Sequence, residues 1–406
     1  MAPPLPCYSK HFGLKNIPFG VATSHNDPSP SCVSRFGDHV IFLNRLAPMF
    51  SDVPGLPDGV FTHATLNAFA ALPQALHVAV RERLQHAIQT DETLESFPAG
   101  SVAPIEAVSM RLPIQTGDFT DMSCSLHHGQ NASEAMTGKR SSPPAFFHMP
   151  IGYAGRCSSL DISGTAVERP LGQYWAGKPG ESEVVFGPCK KMDYELELAA
   201  IIGKPLDRRE RLTATQAEEH IFGYVLLNDW SARDIQGLEM IPLGPLNGKN
   251  AGTTVSPWVV TADALRDFRT TSPLRAQDVK AYLADSGEAA LDIKLDVRIS
   301  PAGQEPGTGQ IACRSNSAWM YWTLAQCVAH QAIGGCGLRT GDLIATGTIS
   351  GEGDEEHGCL MEFMKQGARP LRGYLEDGET VTFSGYCGDG VGFGECTATL
   401  LAAREF

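Results

Sequence analysis

The run Tyr194-Glu-Leu-Glu-Leu198, flowing into Ala-Ala-Ile-Ile202, constrains this chain more than any other stretch. Side chains alternate across a strand, so Glu195 and Glu197 share one face while Tyr194, Leu196 and Leu198 share the other. The apolar continuation marks the strand as buried or nearly so. Two carboxylates on one face of such a strand repel each other and are costly to desolvate unless a cation lies between them. Taken alone, the run fits a half-exposed strand with its polar face in water equally well.

The composition suits a chain of many short elements. Gly 42 and Pro 27 among 406 residues favour turns and short strands over long helices. The length predicts two or three domains at roughly 100–200 residues each. Hydrophobic residues at 42% and charged residues at 19% suffice for a sizeable core. A formal net charge of −14 argues against a nucleic acid or an anionic membrane as partner. Eleven cysteines are scattered, odd in number and without a CxxC, which fits neither a disulfide framework nor a zinc ribbon. Cys124 with His127 and Cys327 with His330 form CxxH pairs, but the second falls inside an expected amphipathic helix, which disfavours zinc. No signal-peptide pattern opens the chain, and no apolar run nears the roughly 18 residues of a membrane span. The expectation is a cytoplasmic protein with reduced thiols.

Residues 11–50 read as short strands and turns, among them Gly20-Val-Ala and His39-Val-Ile-Phe-Leu. Residues 61–95 read as helical, with Pro73 near the start of a second helix through Ile88. Ser96–Pro104 carries Pro98 and Gly100 and reads as a connector, which places a boundary near residue 115. Beyond it, Glu168–Pro188 reads as a loop long enough for a lid or an interface. Thr213-Ala-Thr-Gln216 fits a capping box, and Ile221–Leu227 a buried strand ending at Asn228-Asp229. Ser317–Ile333 reads as a helix stopped by Gly334-Gly335, and Leu343–Gly347 as a strand.

Reactive side chains concentrate in few places. Asp118–His128 holds two carboxylates, three hydroxyls, a thiol and two imidazoles, enough for a metal ligand and a base, although turn and packing roles use the same residues. Asp229 ends an apolar strand, where it either points into a cleft or caps the following turn. Glu195, Glu197, Asp229 and one Asp of the Asp118–His128 stretch would make an all-oxygen site suited to Mg²⁺, Ca²⁺ or Mn²⁺ rather than zinc. Lys249, in Gly248-Lys-Asn-Ala-Gly-Thr-Thr254, would neutralise a developing oxyanion beside such a site. That loop lacks Walker spacing, no GxGxxG opens a strand–helix unit, and no GxSxG is present.

Together these runs resemble the fumarylacetoacetase family, whose members cleave a 1,3-diketone in tyrosine and phenylalanine catabolism. The matching pieces include Asp118-Phe-Thr-Asp, Pro150-Ile-Gly-Tyr-Ala-Gly-Arg, Met192-Asp-Tyr-Glu-Leu-Glu, Asn228-Asp-Trp-Ser-Ala-Arg-Asp-Ile-Gln, Gly252-Thr-Thr-Val-Ser-Pro-Trp and Gly347-Thr-Ile-Ser-Gly. They run in one consistent order from about residue 13 to the C-terminus. The resemblance implies a mainly β protein and a homodimer. A small N-terminal SH3-like barrel over residues 1–117 would precede a large mixed β-sandwich roll, the catalytic domain, over 118–406. It also implies Asp121, Glu195, Glu197 and Asp229 as ligands of a divalent cation, with Lys249, Gly252 and Thr253 in a cation-associated loop. His128 would be the general base and Glu362 the acid that orients it. Arg233, Gln236 and Lys249 would stabilise the oxyanion, and Tyr153, Gln236 and Thr348 would contact substrate.

Three substrate-side positions depart from the family pattern. Ser123 and Met240 stand where the family has Tyr, and Thr137 stands where an Arg meets a substrate carboxylate. Loss of a charge-assisted clamp typically costs roughly 1.5–3 kcal/mol of binding, and Arg140 is a candidate replacement three residues on. A kept catalytic set with a changed substrate set implies a paralogue acting on fumarylacetoacetate or a related dicarbonyl, such as a tailoring hydrolase of specialised metabolism. Metal-dependent decarboxylation of a keto acid is the alternative. The His128–Glu362 pair favours hydrolysis, because decarboxylation needs no activated water.

Overall fold

The computed structural model describes residues 8–25, 27–275, 277–364 and 372–406. Every residue of the Leu196–Ile202 strand is buried, because this strand runs through the middle of the larger sheet with a packed layer on each face. Ile221–Asp229 lies antiparallel on one side and Leu343–Ala345 on the other. Beyond these come Phe119–Met122 and Gly152–Ala154 at one edge and Thr253–Val255 and Leu160–Ile162 at the other, with Val260–Thr261 also pairing to Ile221–Asp229.

The alternation expected from sequence is present. Leu196, Leu198, Ala200 and Ile202 pack with Leu295, Val297, Phe383 and Phe393 of a second, five-stranded sheet. Its order is Gln310–Asn316, Lys294–Ser300, Thr380–Gly388, Val391–Leu401 and Val167–Glu168. Ala199 and Ile201 face the opposite way and pack with Phe19, Val21 and Phe69 of the N-terminal part. Glu195 and Glu197 share the parity of that second face, at the strand end where the apolar packing stops.

The N-terminal strands form an antiparallel sheet in the order Val102–Pro104, His39–Phe42, Asp27–Phe36, Phe19–Ser24, Val108–Arg111. Pro104 and Val108 end up at opposite edges, joined only by the tight turn Ile105–Ala107. Four strand spacings of about 4.8 Å make roughly 19 Å, whereas four residue steps reach at most about 14 Å, so the sheet is curled. The Gln74–Thr90 helix lays Val80, Leu84 and Ile88, spaced at i, i+4, i+8, onto the core shared with Ala199.

Three sequence expectations change. Glu168–Pro188 is not one loop: Val167–Glu168 pairs with Leu400–Leu401, and Leu171–Trp175 forms a hairpin with Val184–Pro188. Ser96–Pro104 ends in a strand rather than a connector. The helix expected over Ser317–Ile333 begins only at Leu324, where Thr323 and Gln326 form a reciprocal capping box, worth about 1 kcal/mol at such ends. A capping box at Thr213 and Gln216 is present as expected.

Candidate active site

Three strands of the larger sheet deliver four carboxylates to one point. Asp121 lies in Phe119–Met122, in register with Ala345 on one side and Tyr153 on the other. Glu197 lies in the central strand and Glu195 immediately before it. Asp229 closes the adjoining strand, its N–H donating to the Glu195 carbonyl at 3.4 Å. Asp121, Glu195, Glu197 and Asp229 are all buried, and one oxygen from each lies within 4.8 Å of the others. A narrow cleft lined by Tyr153, Arg156, Asp229, Leu246 and Lys249 leads to this cluster.

The four carboxyls differ in charge balance. Lys249 Nζ donates to Glu195 Oε2 at 2.6 Å and to Asp229 Oδ2 at 2.5 Å, and Arg233 Nη1 lies 2.6 Å from Glu195 Oε1. Burial pushes Glu195 up, but Lys249 and Arg233 outweigh it and hold the carboxyl well below its ordinary range. The Tyr153 hydroxyl and Thr253 Oγ1 each donate to Asp229 at 3.1 Å. By contrast, both Glu197 oxygens and Asp121 Oδ1 are buried without a hydrogen-bond partner among the described residues. Burial and then the neighbouring carboxylates push Glu197 and Asp121 well above the usual carboxylate range.

Orphaned buried carboxylate oxygens cost about 1–3 kcal/mol each, more when ionised. A divalent cation among the four carboxylates would satisfy them, and an all-oxygen set is what hard cations accept. Lys249 does not join that set. Burial pulls its ammonium down, but Asp229 and Glu195 push it above its ordinary value, and an ammonium has no lone pair to give. Its place is in the charge balance of the cluster, beside the carboxylates that would hold the ion. Gly252 contributes no side chain and packs closely on Val167.

A second group faces the first. Ser125 caps the Leu126–Thr137 helix by accepting the His128 N–H at 3.2 Å, which fixes His128 in the first turn. His128 Nδ1 is 2.9 Å from Glu362 Oε1. Ser350 Oγ donates to the same oxygen at 2.6 Å, and Asn131 Nδ2 donates to Oε2 at 2.8 Å. Burial pushes Glu362 up, yet His128 and the Ser350 hydroxyl hold its carboxyl down to about 2. An ionised carboxylate only accepts, so Nδ1 carries the ring proton and Nε2 presents the lone pair. A positive charge on His128, once its ring takes a second proton, would lower Glu195, which joins the two groups electrostatically.

Asp193, Asn131 and Ser350 did not stand out in the sequence. Asp193 accepts from Arg233 Nε at 2.9 Å and from the N–H groups of Leu360 and Met361 at 2.7 and 3.0 Å. It thereby ties the arginine to the turn that carries Glu362. No local spacing announces that link. Asn131 does carry a signal, lying three residues after His128 on the same helix face.

The chain matches the family described as fumarylacetoacetate hydrolase, C-terminal, over residues 119–401 and the one described as fumarylacetoacetase, N-terminal, over residues 15–113. It belongs to the fumarylacetoacetate hydrolase family. Fumarylacetoacetase of Arabidopsis thaliana is 39% identical over 413 residues, covering 96% of each chain. That of Homo sapiens is 38% identical over 410 residues, covering 97% of this chain and 96% of its own. A solved fumarylacetoacetate hydrolase from Exiguobacterium antarcticum, 18% identical, shares the fold with a TM-score of 0.55 across 96% of this chain and 100% of its own.

The positions that resemblance to the fumarylacetoacetate hydrolase family assigns to substrate are dispersed. Tyr153 reaches Asp229, as above. Gln236 Oε1 accepts from Arg233 Nη1 at 3.1 Å, while Arg233 Nη2 is buried without a partner among the described residues. Thr348 Oγ1 is likewise buried and unpartnered. It follows Gly347, whose φ of 69° and approach to the Met122 carbonyl leave no room for a Cβ. Ser123 is half-buried, its N–H on the Ile151 carbonyl at 2.8 Å. Met240 follows the Arg233–Glu239 helix and opens an apolar loop in which Ile241, Leu243 and Leu246 are exposed.

Thr137 is exposed at a helix end, its hydroxyl donating back to the Ser133 carbonyl at 2.8 Å. Arg140 does not stand free as a replacement clamp, since Nη1 donates to Asn131 Oδ1 at 2.6 Å. Asp118 lies outside the cluster, paired with Arg339 at 2.5 Å. The two CxxH pairs meet only through sulfur, Cys124 Sγ lying 3.3 Å from Cys327 Sγ, while His330 Nδ1 pairs with the Tyr282 hydroxyl. They form no four-ligand cluster among the described residues.

Proposed function

We propose that this protein is a metal-dependent hydrolase that cleaves a carbon–carbon bond in a 1,3-diketone, fumarylacetoacetate or a related acylated keto compound. The observation that carries this reading is the His128–Glu362 pair facing a buried cluster of four carboxylates with orphaned oxygens. Glu362 holds the ring so that Nε2 takes a proton from water, and the hydroxide adds to one carbonyl carbon. Arg233, whose Nη2 has no partner among the described residues, donates to the resulting oxyanion with Lys249 and Gln236 beside it, each such donor being worth about 3 kcal/mol. Collapse breaks the bond to the carbon between the two carbonyls. The electron pair passes into the second carbonyl as an enolate, and the proton held by His128 returns to that carbon. Asp121, Glu195, Glu197 and Asp229 would hold Mg²⁺ or Ca²⁺, with Mn²⁺ as a further candidate, which would supply positive charge for the enolate oxygen.

Ser123, Thr137 and Met240 support a preference for an acyl end other than the fumaryl group, as in a tailoring hydrolase of specialised metabolism. Keto-acid decarboxylation is the weaker reading, because it leaves the His128–Glu362 pair without a task. The curled N-terminal sheet supports the SH3-like barrel, and the irregular stretch 112–118 between Val108–Arg111 and Phe119–Met122 supports a division of the chain near residues 117 and 118. The described cysteines are all free thiols, which supports the cytoplasm, and family membership supports a homodimer. No helix among the described residues is long and apolar enough to cross a membrane.

The deciding experiment offers fumarylacetoacetate, acylpyruvates and oxaloacetate with Mg²⁺ present, then with excess chelator. Hydrolysis of a diketone that stops on chelation and returns with Mg²⁺ is the expected result. Full turnover in chelator, or release of carbon dioxide from oxaloacetate alone, would overturn the proposal.

A further inference from the structure

We infer that Asn131 and Arg140 are positioning residues that fix Glu362, and through it His128, for the proposed hydrolysis. This rests on the reading of His128 as the base. A guanidinium only donates and an ionised carboxylate only accepts. The Asn131 amide between them is therefore set in one sense, Oδ1 receiving Arg140 Nη1 at 2.6 Å and Nδ2 donating to Glu362 Oε2 at 2.8 Å. With Oε2 occupied, Glu362 cannot turn about its own axis without breaking that bond, so Oε1 stays with His128 Nδ1 at 2.9 Å and Ser350 Oγ at 2.6 Å. Asn131 is 1% exposed, where a lost hydrogen bond is not replaced by water.

The chain places Arg140 there by construction. Gly138, with φ 73°, ends the Leu126–Thr137 helix, and the backbone turns back along it. Ser133 Oγ holds the returning segment through the Lys139 carbonyl and the Ser141 hydroxyl, both at 2.9 Å. Arg140 thus reaches Asn131 from outside, and its positive charge polarises the amide whose other end grips Glu362.

The test uses the full-length protein loaded with Mg²⁺, with kcat and KM measured on the best diketone substrate. A second readout is the Nδ1 proton resonance of His128 in ¹⁵N-histidine-labelled protein, assigned by its loss in His128→Ala. Arg140→Met is expected to lower kcat about 10-fold, with KM within about twofold, and to move the resonance. Arg140→Lys should recover most of both. Asn131→Ala should cost more, and Arg140→Met added to it should cost nothing further, because both act through one bond to Glu362. Wild-type kcat with an unmoved resonance in Arg140→Met, or additive losses in the double variant, would overturn the inference. Full turnover in His128→Ala would instead remove the assignment of the base, while the resonance would still report whether Arg140 and Asn131 hold the pair.

Discussion

Glu195, just before the central strand, and Glu197, within it, share one face two residues apart, yet Glu195 is held by Lys249 and Arg233 while neither oxygen of Glu197 has a partner among the described residues. Their neutral isosteres should therefore act in opposite directions on the metal-free protein. Glu195→Gln takes one carboxylate partner from each of two buried cations, Lys249 keeping Asp229 and Arg233 keeping Asp193, and should destabilise by about 1.5–3 kcal/mol. Glu197→Gln relieves repulsion and should leave Tm unchanged or raise it. Both should shrink the rise in Tm that Mg²⁺ gives the wild type, a rise worth about 2.7 kcal/mol at a hundred times Kd. Thermal unfolding in chelator and in Mg²⁺ checks this, and a large loss of Tm for metal-free Glu197→Gln would contradict it.

His128 lies outside the carboxylate cluster, so the base and the ion-holding residues should separate by mutation. His128→Ala should lower kcat by about 10²–10⁴ while keeping the Mg²⁺-dependent rise in Tm. Steady-state kinetics beside thermal shift decides. Activity that survives would point to His127, the neighbouring imidazole.

Glu362 makes stability depend on acid in a definite sense. Its folded value of about 2 lies below the ordinary 4.5, so the carboxylate favours the folded state above about 4.5. That contribution, about 3 kcal/mol at most, fades as pH falls from about 4.5 toward 2. Glu362→Gln lacks it at every pH. Urea unfolding of both proteins should show a gap at pH 6 that closes on acidification, and a gap independent of pH would rule the linkage out.

The substrate side can be rebuilt. Thr137→Arg with Met240→Tyr should lower KM for fumarylacetoacetate about 10-fold, the lower range of a restored charge-assisted contact. Thr137 is exposed and gives up only its bond to the Ser133 carbonyl, so the variant should fold. An unchanged KM would mean that the acyl end is recognised elsewhere.

Much of this site is legible in the sequence because its residues obey local rules. The alternation of Tyr194–Leu198 separates carboxylates from core, and the apolar run before Asn228 places Asp229 at a strand end. Legibility fails where the deciding partner is remote. Val167–Glu168 becomes a strand only through Leu400–Leu401, and its own residues, bounded by Gly and Pro, say nothing of that edge. Asp193 is one more acid until Arg233 and the Leu360–Met361 amides converge on it. The late start of the Leu324–Ile333 helix is different: Thr323 and Gln326 spell its capping box, and the stronger signal of the Trp residues before it conceals the boundary.

The Phe119–Met122 strand lies parallel to Leu343–Ala345, although most of the chain separates them in sequence. Contacts of such long separation are slow to form, and a ribosome must release the second strand before the first has its neighbour. Asp121 therefore takes its place beside Glu195, Glu197 and Asp229 only after Leu343–Ala345, the strand between, has been made. Capture of an ion by all four carboxylates would then be a late event in maturation, so Mg²⁺ should improve refolding yield without hastening the first collapse.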